Sequence, residues 1–168
     1  MNRICMESID LVTYDDKLYK SFKDKLVLEN TNLKFISQVG ERLENSKFQN
    51  DGLFQTAYVV LMGEEAVGYV YFSAVCNDEV FLELEVDSEH RGKGYGKLIL
   101  NEVSDYLFNN CNIKSIMLDI DPSNEKSIRT AESCGFYPDE DDFESRHFTG
   151  KIVFIKDSNC YVSKRRIG

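Results

Sequence analysis

The period of the apolar positions changes several times along the chain, and each change marks an element. Leu18, Tyr19 and Phe22 follow Asp15 and Asp16, either of which can cap a helix, and Leu33, Ile36, Val39 and Leu43 recur at helical spacing in a second one. Residues 55–62 are β-branched and aromatic, Gly63-Glu64-Glu65 breaks the run, and residues 66–75 resume with alternation, which predicts a hairpin. Residues 80–87 (VFLELEVD) predict another strand. After a glycine-rich stretch, Leu98, Ile99, Val103, Tyr106 and Leu107 make one apolar helical stripe. Residues 115–120 read as a short buried strand, and Ser123 is placed to cap a helix carrying Ile128, Ala131 and Cys134 that Gly135 ends. Residues 151–156 (KIVFIK) alternate as a strand, pairing with one that starts near Phe136 across an acidic connection. The sum is an α+β fold, one mixed sheet with helices on both faces.

Composition narrows this picture. The chain has 168 residues, 42% hydrophobic and 29% charged, with no Pro/Gly/Ser linker and no internal period, so residues 1–168 read as a single domain. The longest apolar run, residues 57–62, is far short of the roughly 20 residues that span a bilayer, and Arg3, Glu7 and Asp10 spoil a signal-peptide core, so a cytoplasmic protein without membrane contact is expected. A net charge of -9 argues against nucleic acid and suits a cationic partner, although it also serves solubility alone. Cys5, Cys76, Cys111, Cys134 and Cys160 are odd in number, scattered and never in a C-x-x-C pair, so reduced thiols are expected, with no disulfide framework and no metal site. His90 and His147 read as surface residues.

The chemistry concentrates in VDSEHRGKGYGKLIL. Gly92, Gly94 and Gly96 lie between a strand and a helix, where backbone N–H groups converge on an anion at the helix N-terminus, and Arg91, Lys93 and Lys97 surround them with positive charge on an otherwise acidic chain. The spacing differs from the dinucleotide fingerprint, and a Walker loop is absent.

The segment resembles the R-x-x-G-x-G motif of the GNAT acetyltransferases, with Arg91, Gly94 and Gly96 at its defining positions. Downstream, DPSNEKSIRTAESCGF looks like the second signature of that family through Asn124, Gly135 and Phe136. Together with the hairpin, these features cover roughly residues 55–156, and LFNNCNIKSIMLDIDPSNEKSIR is similar to the aminoglycoside 6'-N-acetyltransferase branch. The resemblance implies a mostly antiparallel sheet of about six to seven strands with a splayed central pair. It also implies acetyl-CoA as co-substrate, its pyrophosphate on residues 91–97 (Arg91, Gly92, Lys93, Gly94, Tyr95, Gly96 and Lys97), and its pantetheine arm against the backbone of Glu85 and Val86 and against Asn124.

Acyl transfer to an amine needs the nitrogen unprotonated, and an alkylamine has a pKa of about 10.4, so a carboxylate is wanted. Glu83 and Glu85 share one face of the strand that enters the loop, and Asp119 lies on the next strand. In the aminoglycoside and ribosomal-protein branches an acidic residue stands at the offset of Asp119 before the asparagine. Another familiar acidic or histidine position falls on Leu82, where a β-bulge would be needed to bring Glu83 into place. Ala131 occupies the position of a tyrosine that protonates the departing thiolate in many members, with Tyr137 the nearest substitute; a thiol of pKa about 8.5 leaves tolerably without it. Cys134 reads as a small buried thiol. The run from Asp139 to Asp142, with Glu144, is a solvated loop or a steering patch for a polycation, and Lys164-Arg165-Arg166 reads as a frayed tail.

The expectation is an N-acetyltransferase that moves an acetyl group from acetyl-CoA to a primary amine of a small molecule, such as an aminoglycoside or polyamine, by direct transfer in a ternary complex. Asp119 and Glu83 are its candidate catalytic residues. Acetylation of a protein N-terminus or lysine is an alternative. Leu82 and Ala131 keep open a second one, an acyl-CoA-binding regulatory module without turnover. The sequence leaves a homodimer open.

Overall fold

The computed structural model describes residues 3–13, 57–76, 78–140 and 150–158. The helices expected within 15–43, and the tail at 164–166, lie outside the described residues. Among the described residues eight strands form one sheet: β1 (Arg3–Cys5), β2 (Asp10–Thr13), β3 (Ala57–Met62), β4 (Glu65–Cys76), β5 (Glu79–Val86), β6 (Ser115–Ile120), β7 (Tyr137–Pro138) and β8 (Ile152–Asp157). Their order across the sheet is β1-β2-β3-β4-β5-β6-β8-β7, and every neighbouring pair is antiparallel except β5–β6. Helix α1 (Tyr95–Asn110) crosses between those two parallel strands, and α2 (Glu125–Ser133) follows β6.

Side-chain alternation decides what each face carries. Val80 and Leu82 of β5 and Ile116 and Leu118 of β6 join one buried cluster with Ile99, Leu100, Val103 and Leu107 of α1 and Ala131 of α2. Each of the larger of these side chains contributes roughly 1.5–3 kcal/mol by leaving water. Ser104, the polar group in this stripe of α1, returns its hydroxyl to the Leu100 carbonyl at 2.6 Å, so its burial leaves no unmet donor. Both described helices pack on this single face, so the expectation of helices on both faces is met on one face among the described residues. The opposite face of the sheet holds a smaller cluster of Met117, Val153 and Ile155 with Phe81 and Tyr137.

The sheet exceeds the expected six to seven strands because β1 and β2 escape a periodicity reading: they have 3 and 4 residues. β1 folds back on β2, and the place of β2 is set by partners far along the chain. β2 pairs with β3, its Leu11 and Val12 buried along with the preceding Ile9, and the Glu102 carboxylate of α1 accepts the Ser8 amide at 3.0 Å and the Ile9 amide at 3.2 Å. The cap of α2 is also corrected. Asp121 takes both the hydroxyl and the amide of Ser123, at 2.6 and 2.8 Å, and Asn124 caps the helix instead, accepting the Ser127 amide at 3.2 Å.

The short pairing of β5 with β6 opens the sheet beside the glycine loop. This parallel pairing runs only from Glu79↔Ser115 to Phe81↔Met117, although β5 continues to Val86 and β6 to Ile120, so the strands part as the resemblance implied. Beyond that point the β5 backbone keeps β4 on one side and an opening on the other. On the β4 side, Gly68 faces Val86, and a Cβ at Gly68 would lie 2.4 Å from the Glu85 carbonyl oxygen. That neighbour is backbone and cannot swing aside. Gly68→Ala is therefore expected to destabilise the fold by about 1–3 kcal/mol, read as a lower Tm in thermal denaturation. An unchanged Tm would mean that β5 yields freely at this point.

Candidate active site

The gap between β5 and β6 opens into a cavity of about 880 Å³ that reaches from the carboxylates of the two strands to the glycine loop and α2. At the loop end a short 3-10 turn (Ser88–His90) carries the chain off β5. Gly92 and Gly94 have φ of 75° and 84°, and a Cβ added at either would meet no protein atom within 4 Å, so the loop is left-handed and unpacked on its open side. Gly94 is also the N-cap of α1 and offers no side chain; the first helical bond is the Leu98 amide to the Gly94 carbonyl at 3.2 Å. The amides of Tyr95, Gly96 and Lys97 thus begin the helix without an intrahelical acceptor, and no acidic residue stands in that turn. Arg91 and Lys97 line the cavity here, whereas exposed Lys93 stands outside its lining. The Arg91 guanidinium donates to the Val86 carbonyl at 3.0 Å and to Glu85 at 3.3 Å. These features fit a pyrophosphate.

At the other end the register brings the carboxylates together. Glu83 and Asp119 each lie two residues beyond the last pair, Phe81↔Met117, and therefore on the same face across the opening, with Glu85 two residues further along β5. All three line the cavity. Tyr69 of β4, 1% exposed, points its hydroxyl at the glutamates, 3.1 Å from Glu85 and 3.5 Å from Glu83. The bulge needed to place Glu83 at the Leu82 position is absent. The β4–β5 register is unbroken from Gly68↔Val86 to Ala74↔Val80, and Leu82 stays in the core at 3% exposure.

His90, expected on the surface, is buried. Its Nδ1 lies 3.0 Å from Asp87 and its Nε2 2.8 Å from Glu65, with Tyr95 edge-on at 5.7 Å. Burial opposes charge on the imidazole, but the hydrogen bonds and fields of Glu65 and Asp87 outweigh it and raise the pKa above the ordinary histidine value. Cys134 is a buried thiol beside the Lys97 carbonyl, and burial pushes it up, away from nucleophilic use. Ala131 is buried, and Tyr137 does not stand in for the missing hydroxyl. It donates to Asp157 at 2.6 Å, beside Ser115 at 2.7 Å, outside the cavity lining. Asp139 is buried and its amide donates to Val153, so it does not belong to a solvated acidic loop; residues 141–149 lie outside the described residues.

Other lining residues escape a reading of the sequence. Ser127 and Thr130 join Asn124 in presenting one polar edge of α2 to the cavity, and their spacing of three, starting at the cap, is a legible sign. Tyr71 and Lys151 also line it; one of several aromatics on a strand and a lysine just ahead of another strand carry no comparable signal. Among the described residues no group of His, Cys, Asp and Glu is arranged to hold a metal, and no helix is long and apolar enough to cross a membrane.

Comparison with known proteins agrees with this geometry. A spermidine N(1)-acetyltransferase of Vibrio cholerae is 27% identical over 98 residues, or 58% of this chain, and the match spans about half of that relative, 53%. Among solved structures, an acetyltransferase of Agrobacterium tumefaciens aligns with TM-score 0.65 at 20% identity, covering 94% of this chain and 95% of its own. The Campylobacter jejuni N-acetyltransferase PseH in complex with acetyl coenzyme A aligns with TM-score 0.61 at 12% identity, covering 89% and 99%. Residues 19–136 match the acetyltransferase (GNAT) family, and the chain belongs to that family.

Proposed function

We propose that this chain transfers the acetyl group of acetyl-CoA to a primary amine of a small, cationic molecule by direct attack within a ternary complex. The observation that carries the reading is one cavity with an anion-binding loop at one end and Glu83 and Asp119 at the other, on strands that have parted, with Glu85, paired to Arg91, between them. The Vibrio relative, named for spermidine, supports a polyamine-like acceptor. The net charge of -9 favours approach of such a cation.

In this reading Arg91, Lys93, Lys97 and the amides from Gly92 through Tyr95 to Gly96 hold the pyrophosphate. The β5 backbone at Glu85 and Val86 meets the pantetheine arm along the opening. Asn124 spends its Oδ1 on the Ser127 amide, so its NH2 group is the part that serves the same arm. Asp119 takes a proton from the bound ammonium, directly or through water, while Glu83, steadied by Tyr69, holds positive charge at the acceptor end. The freed nitrogen bonds to the acyl carbon as the C–S bond breaks, and the thiolate leaves without a tyrosine at position 131 to protonate it.

Direct transfer predicts intersecting initial-rate lines when acetyl-CoA and amine are varied together. Parallel lines would indicate an acyl-enzyme, for which Cys134, buried and with its thiol pushed up, is poorly suited.

A further inference from the structure

We infer that His90 is a positioning residue for the acetyl-CoA loop, an imidazolium clamp that ties the hairpin residue Glu65 to the end of β5 at Asp87 and fixes where Arg91 leaves the sheet. The inference rests on the reading that residues 91–97 bind the pyrophosphate.

The geometry suits it to work as a cation. Both ring nitrogens face carboxylate oxygens, at 3.0 Å for Asp87 and 2.8 Å for Glu65. A neutral imidazole has one donor and one acceptor, so one of the two carboxylates would then face a lone pair; only the doubly protonated ring satisfies both. The groups facing it come from three elements: Glu65 at the start of β4, Asp87 after β5, and Tyr95 at the first turn of α1. The two arms are unequal. Asp87 is 2% exposed, and its own amide is bound to the Val67 carbonyl at 2.9 Å, whereas the Glu65 side chain is 71% exposed. Loss of the proton therefore releases the Glu65 arm, where water takes over, and leaves the Asp87 arm in place. His90 lines the cavity and precedes Arg91 directly, and its amide stays on the Asp87 carbonyl at 2.9 Å, so the released arm loosens the tie between the root of the loop and the hairpin.

The clamp also sets the sign of the pH effect. A histidine raised in the folded state adds order fully below its ordinary pKa and loses it as pH rises through the raised value. Calorimetry of coenzyme A binding to wild type and His90→Gln, from about pH 5.5 to 8.5, reads this directly. The wild type is expected to bind about tenfold tighter at the low end, with the ratio shrinking as pH rises; titration of the coenzyme A phosphates is common to both proteins and cancels. At saturating acetyl-CoA, the amine KM and kcat should be unchanged. Glu65→Gln keeps an acceptor for Nε2 but removes the charge, so it should move the midpoint of the His90 ring resonance toward the ordinary value. With two histidines in the chain, His147→Gln assigns that resonance. A folded His90→Gln with wild-type affinity at every pH overturns the inference, as does a lowered Tm with unchanged affinity, or a ring titrating at the ordinary value. If wild type itself does not bind coenzyme A, the loop reading fails instead.

Discussion

Reversing Arg91 and Lys93 to glutamate is expected to weaken coenzyme A by well over tenfold, because each charge-assisted contact to a phosphate is worth roughly 1.5–3 kcal/mol. Arg91 carries the larger share. It lines the cavity and is already aimed by its bond to the Val86 carbonyl, whereas Lys93 is exposed and its contact is trimmed by solvent. The reversal also sets a second carboxylate beside Glu85, which Arg91 now neutralises at 3.3 Å. Gly94→Val should produce a comparable loss by another route: φ of 84° is strained for any β-branched residue, and the side chain would occupy the open side of the loop. Calorimetry decides both. Affinity unchanged by either variant would put the co-substrate elsewhere.

Asp119→Asn is expected to cut kcat by roughly 10² to 10⁴ with coenzyme A affinity nearly intact, since it removes a proton acceptor and touches no phosphate contact. Glu83→Gln separates the roles, because the two residues share a face across the opening. If Asp119 orients the amine and Glu83 receives its proton through water, Glu83→Gln loses the acidic limb of the pH–rate profile, while Asp119→Asn chiefly raises the amine KM. Wild-type rates in both variants at all pH values would leave the reaction to the small fraction of free amine in solution.

The strand, glycine loop and helix across residues 79–110 were legible because the period switches from two to 3.6 at a cluster of glycines, and both signals are local. β6 falls on the expected residues because its short apolar run is also a local signal. What escaped is relational. β2 joins the sheet because Asp10 reaches Leu61 and Thr13 reaches Tyr58, pairings that no short window contains, and β1 is carried in on β2. His90 is buried by Glu65 and Asp87, which converge only when β4 and β5 lie side by side, and the same antiparallel register keeps Leu82 in the core and Glu83 on the carboxylate face. The misplaced cap at Ser123 differs in kind. Asp121 competes for that hydroxyl, and the choice between adjacent polar residues turns on a single hydrogen bond.

The most direct measurement is release of free thiol from acetyl-CoA when the wild-type chain meets a panel of acceptors: polyamines, aminoglycosides, and peptides with free N-termini or lysines. Thiol release with the small cationic amines, and not with the peptides, is the predicted result. Release with peptides alone would make the chain a protein acetyltransferase, and coenzyme A binding without thiol release to any amine would make it a binding module; either outcome contradicts the account.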